Sequence, residues 1–322
     1  MPIAIRTIFI QILDFVYREP KLIYSYYRQP RTERSFQTPR YIFMVDGRVG
    51  HGGMFDRLKG LISVYAVAKS QQKDFRIHWT YPFPLEKYLV PNDYDWRVDE
   101  ASIVYHYPQS RPLFLYGECY SPRRLMKNRH QESHFYYGYN SLKEINERFS
   151  SNYDWGTLYR ELFKPSPYLQ QYLDHYQNEI GKGYIAVHTR FLNLLGDKTE
   201  TDINPELSEE GKLELMSKAV AKIQKIHTYH PHSRVMLATD SMTFIRYAKE
   251  RISDLYVVPG TVKHIDTAGE TDDSENIKMF TDYYLLAQAD KVYSLWHEGM
   301  WKSAFPEYAA VIGGVNFERL DF

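Results

Sequence analysis

The tripeptide His188-Thr189-Arg190 ends the apolar run that begins at Gly183, and a long polar segment follows it. Such a run reads as a buried strand, so the histidine and the arginine stand at its carboxyl end. A guanidinium held there could grip a diphosphate through two parallel hydrogen bonds. A sugar leaving a nucleoside diphosphate puts negative charge on the departing oxygen, and a fixed cation stabilises that charge. The competing possibility is a structural ion pair for Arg190. His188 could likewise donate to a phosphate or lie satisfied in the core.

Further clusters sit where strands give way to loops or helices. Thr239, Asp240 and Ser241 close the run RVMLATDS. Asp240 could hold a base or a ribose hydroxyl, or Asp240 or Ser241 could cap the next helix. Asp272, Asp273, Ser274 and Glu275 precede a helix carrying Lys278 and Asp282. Amides exposed near Ser274 could meet an anion; an acidic surface loop that caps the helix is the alternative. Ser294 in KVYSLW could hydrogen-bond a phosphate, and Ser303 is expected on the following helix. His297 and Glu298 are adjacent and need not face one reacting atom, so they are not assigned as an acid-base pair. The donor-binding candidates are therefore Gly52, Gly53, His188, Arg190, Asp240, Ser241, Asp273, Ser274, Lys278, Asp282 and Ser294. No metal site is expected.

Nearer the start, Gly47, Gly50, Gly52 and Gly53 punctuate DGRVGHGG. Their spacing fits neither the dinucleotide pattern G-x-G-x-x-G nor the P-loop. The loop could close over an acceptor or over donor phosphates. An acceptor hydroxyl attacking a sugar carbon must lose its proton. Asp46, His51 and Asp56 are the candidate bases, although Asp56 could instead pair with Arg57 or Lys59 on the following helix.

The elements that must hold these groups alternate. YIFMV, the glycine loop and a helix from Met54 to Lys69 open an α/β unit, with Phe55, Leu58, Leu61, Ile62, Tyr65 and Ala66 at helical spacing. FRIHWTY, SIVYHY and PLFLYG are expected strands, and PFPLEKYLVPNDYDWR a rigid surface connection. After Gly181, the strands GYIAVHTR, RVMLATDS, DLYVVPG and KVYSLW alternate with helices near 212–227, 242–251 and 275–289, and YAAVIGG is a last apolar stretch. This is the pattern of two Rossmann-like α/β domains, each with a parallel sheet, facing a cleft, with ligands at the carboxyl ends of strands. The expected division is 1–39 as an N-terminal helix and connector, 40–178 as an acceptor-side domain, and 179–322 as a nucleotide-sugar-binding domain.

Lys plus Arg and Asp plus Glu number 40 each, so net charge gives no reason to expect a nucleic-acid partner. A hydrophobic content of 43% argues against disorder. The 29 tyrosines could line a sugar cleft, or simply pack cores. Cys119 is the only cysteine, which excludes an intrachain disulfide and fits a cytoplasmic setting. The apolar start is interrupted by Arg6, Gln11 and Asp14, and has the marks of neither a signal peptide nor a membrane span. The basic, tyrosine-rich YREPKLIYSYYRQPRTER behind it could rest on a bilayer surface beside a lipid-linked acceptor, or form an ordinary amphipathic helix and connector.

Taken in order, GRVGHGGMFDRLKG, YIAVHTR, MLATDS and DYYLLAQADKVYSLWHEGMWKSAF resemble the fucosyltransferase superfamily. That superfamily includes α-1,2-, α-1,6- and protein O-fucosyltransferases and the nodulation fucosyltransferases. The resemblance implies a two-domain, glycosyltransferase-B-like fold and transfer from GDP-fucose with inversion, generally without an essential metal. It implies that Arg190 is the H-x-R arginine on the donor diphosphate and that Asp240 lies near the nucleoside. Asp282, Asp290 and Ser294 would help shape the donor pocket, and His51, Gly52 and Gly53 would form the N-terminal loop. Two stretches depart from the pattern. Many relatives read H-x-R-R and then a nearby Asp, where this chain has Phe191, Leu192 and Asn193; HEGMWKS stands where S-x-F-S is common.

The expected activity is inverting transfer of fucose, from GDP-fucose or with another nucleotide sugar as donor, to a hydroxyl of a glycan or lipid-linked oligosaccharide, with no cofactor. The alternative is a non-catalytic carbohydrate- or nucleotide-binding protein of the same fold. A phosphoryl-transfer enzyme is disfavoured, because neither a P-loop nor a metal-carboxylate constellation is visible.

Overall fold

In the computed structural model the described residues are 14–33, 38–116, 122–197, 205–261 and 272–322. Cys119, the apolar start before residue 14 and most of the loop expected at 264–275 lie outside them. The chain divides into two compact units between Lys164 and Pro165.

The first unit holds helices α1 (Glu19–Tyr26), α2 (Met54–Ser70), α3 (Arg123–Met126), α4 (Leu142–Phe149) and α5 (Trp155–Leu162). Its main sheet has the order β2-β1-β5-β4 and is parallel throughout: β1 (Arg40–Val45), β2 (Asp74–Trp79), β4 (Ser110–Phe114) and β5 (Glu132–Tyr136). Every residue of β1 is buried, as a parallel strand covered on both faces requires. Helix α2 runs so close to the chain at Gly138 that a Cβ on Gly60 would lie 2.7 Å from the Gly138 Cα.

One strand here is unforeseen and two expectations change. ESHFY forms β5 inside the sheet, although Glu132, Ser133 and His134 break its apolar run; all three are fully buried. Their polar groups are satisfied internally: Arg40 and His134 bond Glu132, and Asn128 bonds Ser133. SIVYHY is not a strand. A 3₁₀ turn at Glu100–Ser102 leads to an isolated bridge between His106 and Arg28. The expected surface connection contains β3 (Leu89–Pro91), which pairs with β6 (Phe163–Pro165), and buries Trp96, whose indole N–H donates to the Leu162 carbonyl at 2.7 Å. Helix α1 and the residue that caps its end belong to the same core: Leu22 and Tyr27 pack with Ile42, Met44 and Tyr136. Among the described residues no helix is long and apolar enough to cross a membrane.

The second unit holds α6 (Pro167–Ile180), α7 (Glu209–Tyr229), α8 (Met242–Lys249), α9 (Asp273–Gln288) and α10 (Phe305–Gly313). Its parallel sheet has the order β11-β10-β7-β8-β9. The strands are β7 (Ile185–Thr189), β8 (Val235–Thr239), β9 (Leu255–Tyr256), β10 (Lys291–Trp296) and β11 (Asn316–Asp321). Val187, Leu237 and Leu295 from the strands and Phe191, Ile223 and Phe244 around them form its core. The apolar stretch YAAVIGG belongs to helix α10, not to a strand. NFERLD is an unforeseen edge strand, partly exposed along its length and charged as edges commonly are.

Candidate functional site

The carboxyl edge of the second sheet gathers polar groups from three strands. Parallel pairing sets His188 opposite Ser294, and Ser294 opposite Arg319. Residues in register on neighbouring strands share a face, so these side chains form one row. Thr189 points to the other face, where its hydroxyl bonds that of Thr239 at 2.8 Å. Burial, reinforced by the positive fields of Arg190 and Arg319, pushes the His188 imidazole down to about 3, so it is neutral. Its ring stacks on Phe305, with centroids 5.6 Å apart.

Arg319 donates through Nη2 to the Ser303 carbonyl at 3.0 Å and to Glu307 at 3.3 Å. Its Nε is buried and has no partner among the described residues. The Arg190 guanidinium lies 5.9 Å over the Trp301 ring, and the Trp301 amide donates to the Arg190 carbonyl at 3.2 Å. The chain after β10 therefore folds back over the His188-Thr189-Arg190 strand end. Ser303 precedes α10 instead of lying on it, because its hydroxyl accepts from the Phe305 amide at 3.2 Å. Arg319 carried no signal in the sequence; only the register reveals it.

Asp240 does not cap a helix. Its carboxylate accepts from the amides of Phe191 and Leu192 at 2.9 and 3.0 Å, tying the end of β8 to the turn after Arg190. Ser241 is the cap of α8: its buried hydroxyl accepts from the Phe244 amide at 2.9 Å and donates to Asp197. Asp197, unremarked in the sequence, also accepts from the Thr243 amide at 3.1 Å and hydroxyl at 2.9 Å.

The start of α9 is likewise capped from within. Asp272 accepts from the Ser274 amide and hydroxyl at 3.3 and 2.9 Å, and Tyr168 donates to Asp273. Lys278 is buried and donates to Asp282 and to the Val258 carbonyl, both at 2.9 Å. Burial raises the Asp282 carboxyl above its usual range against the pull of Lys278, and Asp282 Oδ1 has no partner among the described residues. Asp273, Ser274, Lys278 and Asp282 thus lie on one helix, with Lys278 and Asp282 committed to each other.

In the first unit, Asp46 follows β1 and is nearly inaccessible. Oδ2 accepts from the Tyr136 hydroxyl at 3.3 Å and Oδ1 from the Arg48 amide at 3.1 Å. Tyr136 meets the Tyr27 hydroxyl at 3.1 Å, Tyr27 meets His134 Nδ1 at 2.7 Å, and His134 Nε2 meets Glu132 at 2.8 Å. A continuous buried chain therefore runs from Glu132 to Asp46.

His51 is committed differently: its Nε2 accepts from the Gly47 amide at 3.0 Å, and burial with the nearby Arg57 charge pushes the imidazole down to about 3. Asp56 pairs with Lys59 at 2.6 Å and is half-exposed, so of the two partners weighed for it Lys59 is the ion-pair partner. Arg57 instead pins the glycine loop, donating to the Gly52 and Tyr81 carbonyls at 2.8 and 2.9 Å. Gly52 stands at φ +70° with Tyr137 only 3.2 Å from where a Cβ would lie, so the turn requires glycine; Gly53 begins α2 as its N-cap. Among the described residues no three His, Asp or Glu side chains gather as a metal site would need.

No protein-family profile matches the chain, and no curated protein matches it. Solved structures match it in shape. The fucosyltransferase NodZ from Bradyrhizobium aligns with a TM-score of 0.51 at 16% identity, over 85% of this chain and 92% of that one. NodZ alpha-1,6-fucosyltransferase co-crystallized with GDP aligns with a TM-score of 0.50 at 16% identity over the same shares. The NodZ structure soaked with GDP-fucose does so with a TM-score of 0.50 at 17% identity, again over 85% and 92% of the two chains. At such identity the likeness concerns architecture. Two Rossmann-like units, each with a parallel sheet, give the chain a glycosyltransferase-B-like fold, as in those structures.

Proposed function

We propose that the chain transfers a sugar from a nucleoside-diphosphate donor to a hydroxyl of a glycan or lipid-linked oligosaccharide, with inversion, and that the donor is GDP-fucose. One observation carries this: His188, Ser294 and Arg319 form a row at the carboxyl edge of a parallel sheet, and Arg190 follows at the same strand end. Open α/β sheets take ligands at that edge. The choice of nucleotide is supported by the fold shared with NodZ structures that contain GDP or were soaked with GDP-fucose.

Arg190 and Arg319 hold the diphosphate, so that Arg319 supplies the second cation that Phe191 does not. The amino end of α10, whose N-cap Ala304 offers no side-chain bond, adds the positive end of the helix dipole. Neutral His188 donates its ring N–H. Asp240 acts by holding the turn beyond Arg190, while Ser241, Asp273, Ser274, Lys278 and Asp282 shape the donor unit from within. Gly52 and Gly53 shape the acceptor side. As the acceptor oxygen bonds to the anomeric carbon, the bond to the diphosphate breaks and its electron pair leaves with the phosphate. The hydroxyl proton passes to Asp46. Protonated Asp46 can donate to Tyr136, Tyr136 to Tyr27, Tyr27 to His134 Nδ1, and His134 Nε2–H to Glu132, so every group in the chain remains paired. The exposed Val16, Tyr17 and Tyr24 would suit contact with a membrane bearing a lipid-linked acceptor.

The test is to incubate the full chain with GDP-fucose and a glycan array, following GDP release and the anomeric configuration of the product. Turnover with an inverted product supports the assignment. Tight binding of a different nucleotide without binding of GDP sinks the fucose donor. Donor binding with neither transfer nor hydrolysis favours the non-catalytic alternative.

A further inference from the structure

The first unit also carries a cavity of about 610 Å³ whose lining includes Lys73, Lys127, Arg129 and Arg148, framed by Gln71 and Asn128. It lies at the opposite end of the sheet from Asp46. Lys73 immediately precedes β2 and Arg129 lies just before β5, at the amino ends of those strands, and Arg148 is in the last turn of α4. No carboxylate lines it among the described residues. Elsewhere in this unit several cations have acidic partners: Lys69 has Glu161, Arg76 has Asp74, Arg97 has Asp95 and Arg40 has Glu132.

The framing amides are already engaged, since Gln71 Nε2 donates to the Met126 carbonyl at 2.8 Å and Asn128 Nδ2 to Ser133 at 2.6 Å. The Lys73 ammonium is fixed by the Tyr41 hydroxyl at 2.8 Å and the Asn128 carbonyl at 3.0 Å, 4.4 Å from the centre of the Tyr41 ring. Burial, and after it the adjacent Arg129 charge, hold it below the usual lysine range. A concave set of cations without acids is relieved by an anion, and two guanidiniums can each bind phosphate oxygens in pairs. The volume falls within the roughly 300–1,000 Å³ of small-molecule pockets, ample for more than one phosphate.

We propose that this cavity is a second anion site, distinct from the strand ends of the nucleotide unit, for a ligand carrying two or more phosphate groups. The ligand is a soluble phosphorylated molecule or the headgroup of a phosphorylated lipid, and recognition is by phosphate in either case. The site is independent of the transferase assignment.

Inorganic pyrophosphate is the probe, added at low salt to the wild-type chain and to Arg190→Ala, with backbone hydrogen exchange read over 125–131 and 145–150. Protection of both segments in both proteins is expected. The double variant Arg129→Gln/Arg148→Gln should weaken it at least tenfold with GDP binding unchanged. Both arginines are exposed, so the variant should fold, and its thermal unfolding verifies this. Sedimentation with phosphatidylcholine vesicles, with and without a bisphosphorylated inositol lipid, separates the sources. Binding that needs that lipid and is lost in the double variant identifies a headgroup; protection by pyrophosphate without vesicle binding identifies a soluble ligand. No protection at millimolar pyrophosphate, or equal protection in the double variant, overturns the site.

Discussion

The amide of Leu192 donates to Asp240 Oδ2 at 3.0 Å, and Leu192 stands at φ +53°, a region that a leucine rarely adopts. The bond is part of what keeps the chain there, because Asp240 also takes the neighbouring Phe191 amide at 2.9 Å. Both residues are buried, so their amides cannot turn to water instead. The conformation of this turn sets the direction in which Arg190 leaves β7.

Asp240→Ala strands two buried amides, at about 1–3 kcal/mol each when nothing replaces the acceptor. We expect denaturant unfolding to show a loss of roughly 2 kcal/mol or more by that rule, and calorimetry to show weaker donor binding. Asp240→Asn keeps one acceptor oxygen and should fall between. Wild-type stability and affinity in the alanine variant would mean that the turn holds itself.

Arg319→Gln and Arg190→Ala should each weaken nucleoside-diphosphate binding about ten- to hundredfold, the range for losing a charge-assisted contact of about 1.5–3 kcal/mol. Arg319→Lys should recover part of the loss. If Arg319→Gln binds donor like the wild type, the second cation lies elsewhere.

Asp46→Asn should lower kcat by about a hundredfold or more while donor affinity stays the same, as expected for loss of a general base. Asp56→Asn should remain near wild type, because Asp56 is an exposed partner of Lys59. Tyr136→Phe removes one link of the buried chain and should give a smaller fall in kcat. Equal rates for Asp46→Asn and wild type in steady-state assays would remove Asp46 from the reaction.

Both His51 and His188 are held at about 3 in the folded chain, against an ordinary histidine value near 6.5. Below 6.5 the unfolded chain therefore binds protons that the folded chain does not. Stability is complete above 6.5 and declines as the pH falls toward 3, by as much as about 1.4 kcal/mol per unit for each ring. Unfolding titrations between pH 7 and 4 should show this slope, and His188→Asn should reduce it by about one proton. An unchanged slope would mean that His188 already carries its proton when folded.

How legible these features were depends on what each residue's neighbours in sequence could show. β1, β7, β8 and β10 are apolar runs, and their composition alone announces buried parallel strands. β5 hides because its polar residues are paid for by partners distant in sequence, such as Arg40 and Asn128. β11 hides because an edge strand need not be apolar. The same limit governs the site. Arg190 stands at the end of a recognisable strand, whereas Arg319 joins it only through the register of β11 on β10. Asp46 could be named a base from its type and place, but its preference over His51 and Asp56 rests on bonds to Tyr136, Gly47 and Lys59 that spacing does not encode.

The most direct measurement is calorimetric titration of GDP, UDP and ADP into the wild-type chain and into Arg190→Ala. GDP should bind most tightly to the wild type, and Arg190→Ala should lose at least tenfold in affinity while melting at the wild-type temperature. Absence of binding by all three, or identical GDP affinity in the folded variant, would contradict a diphosphate site at the end of β7.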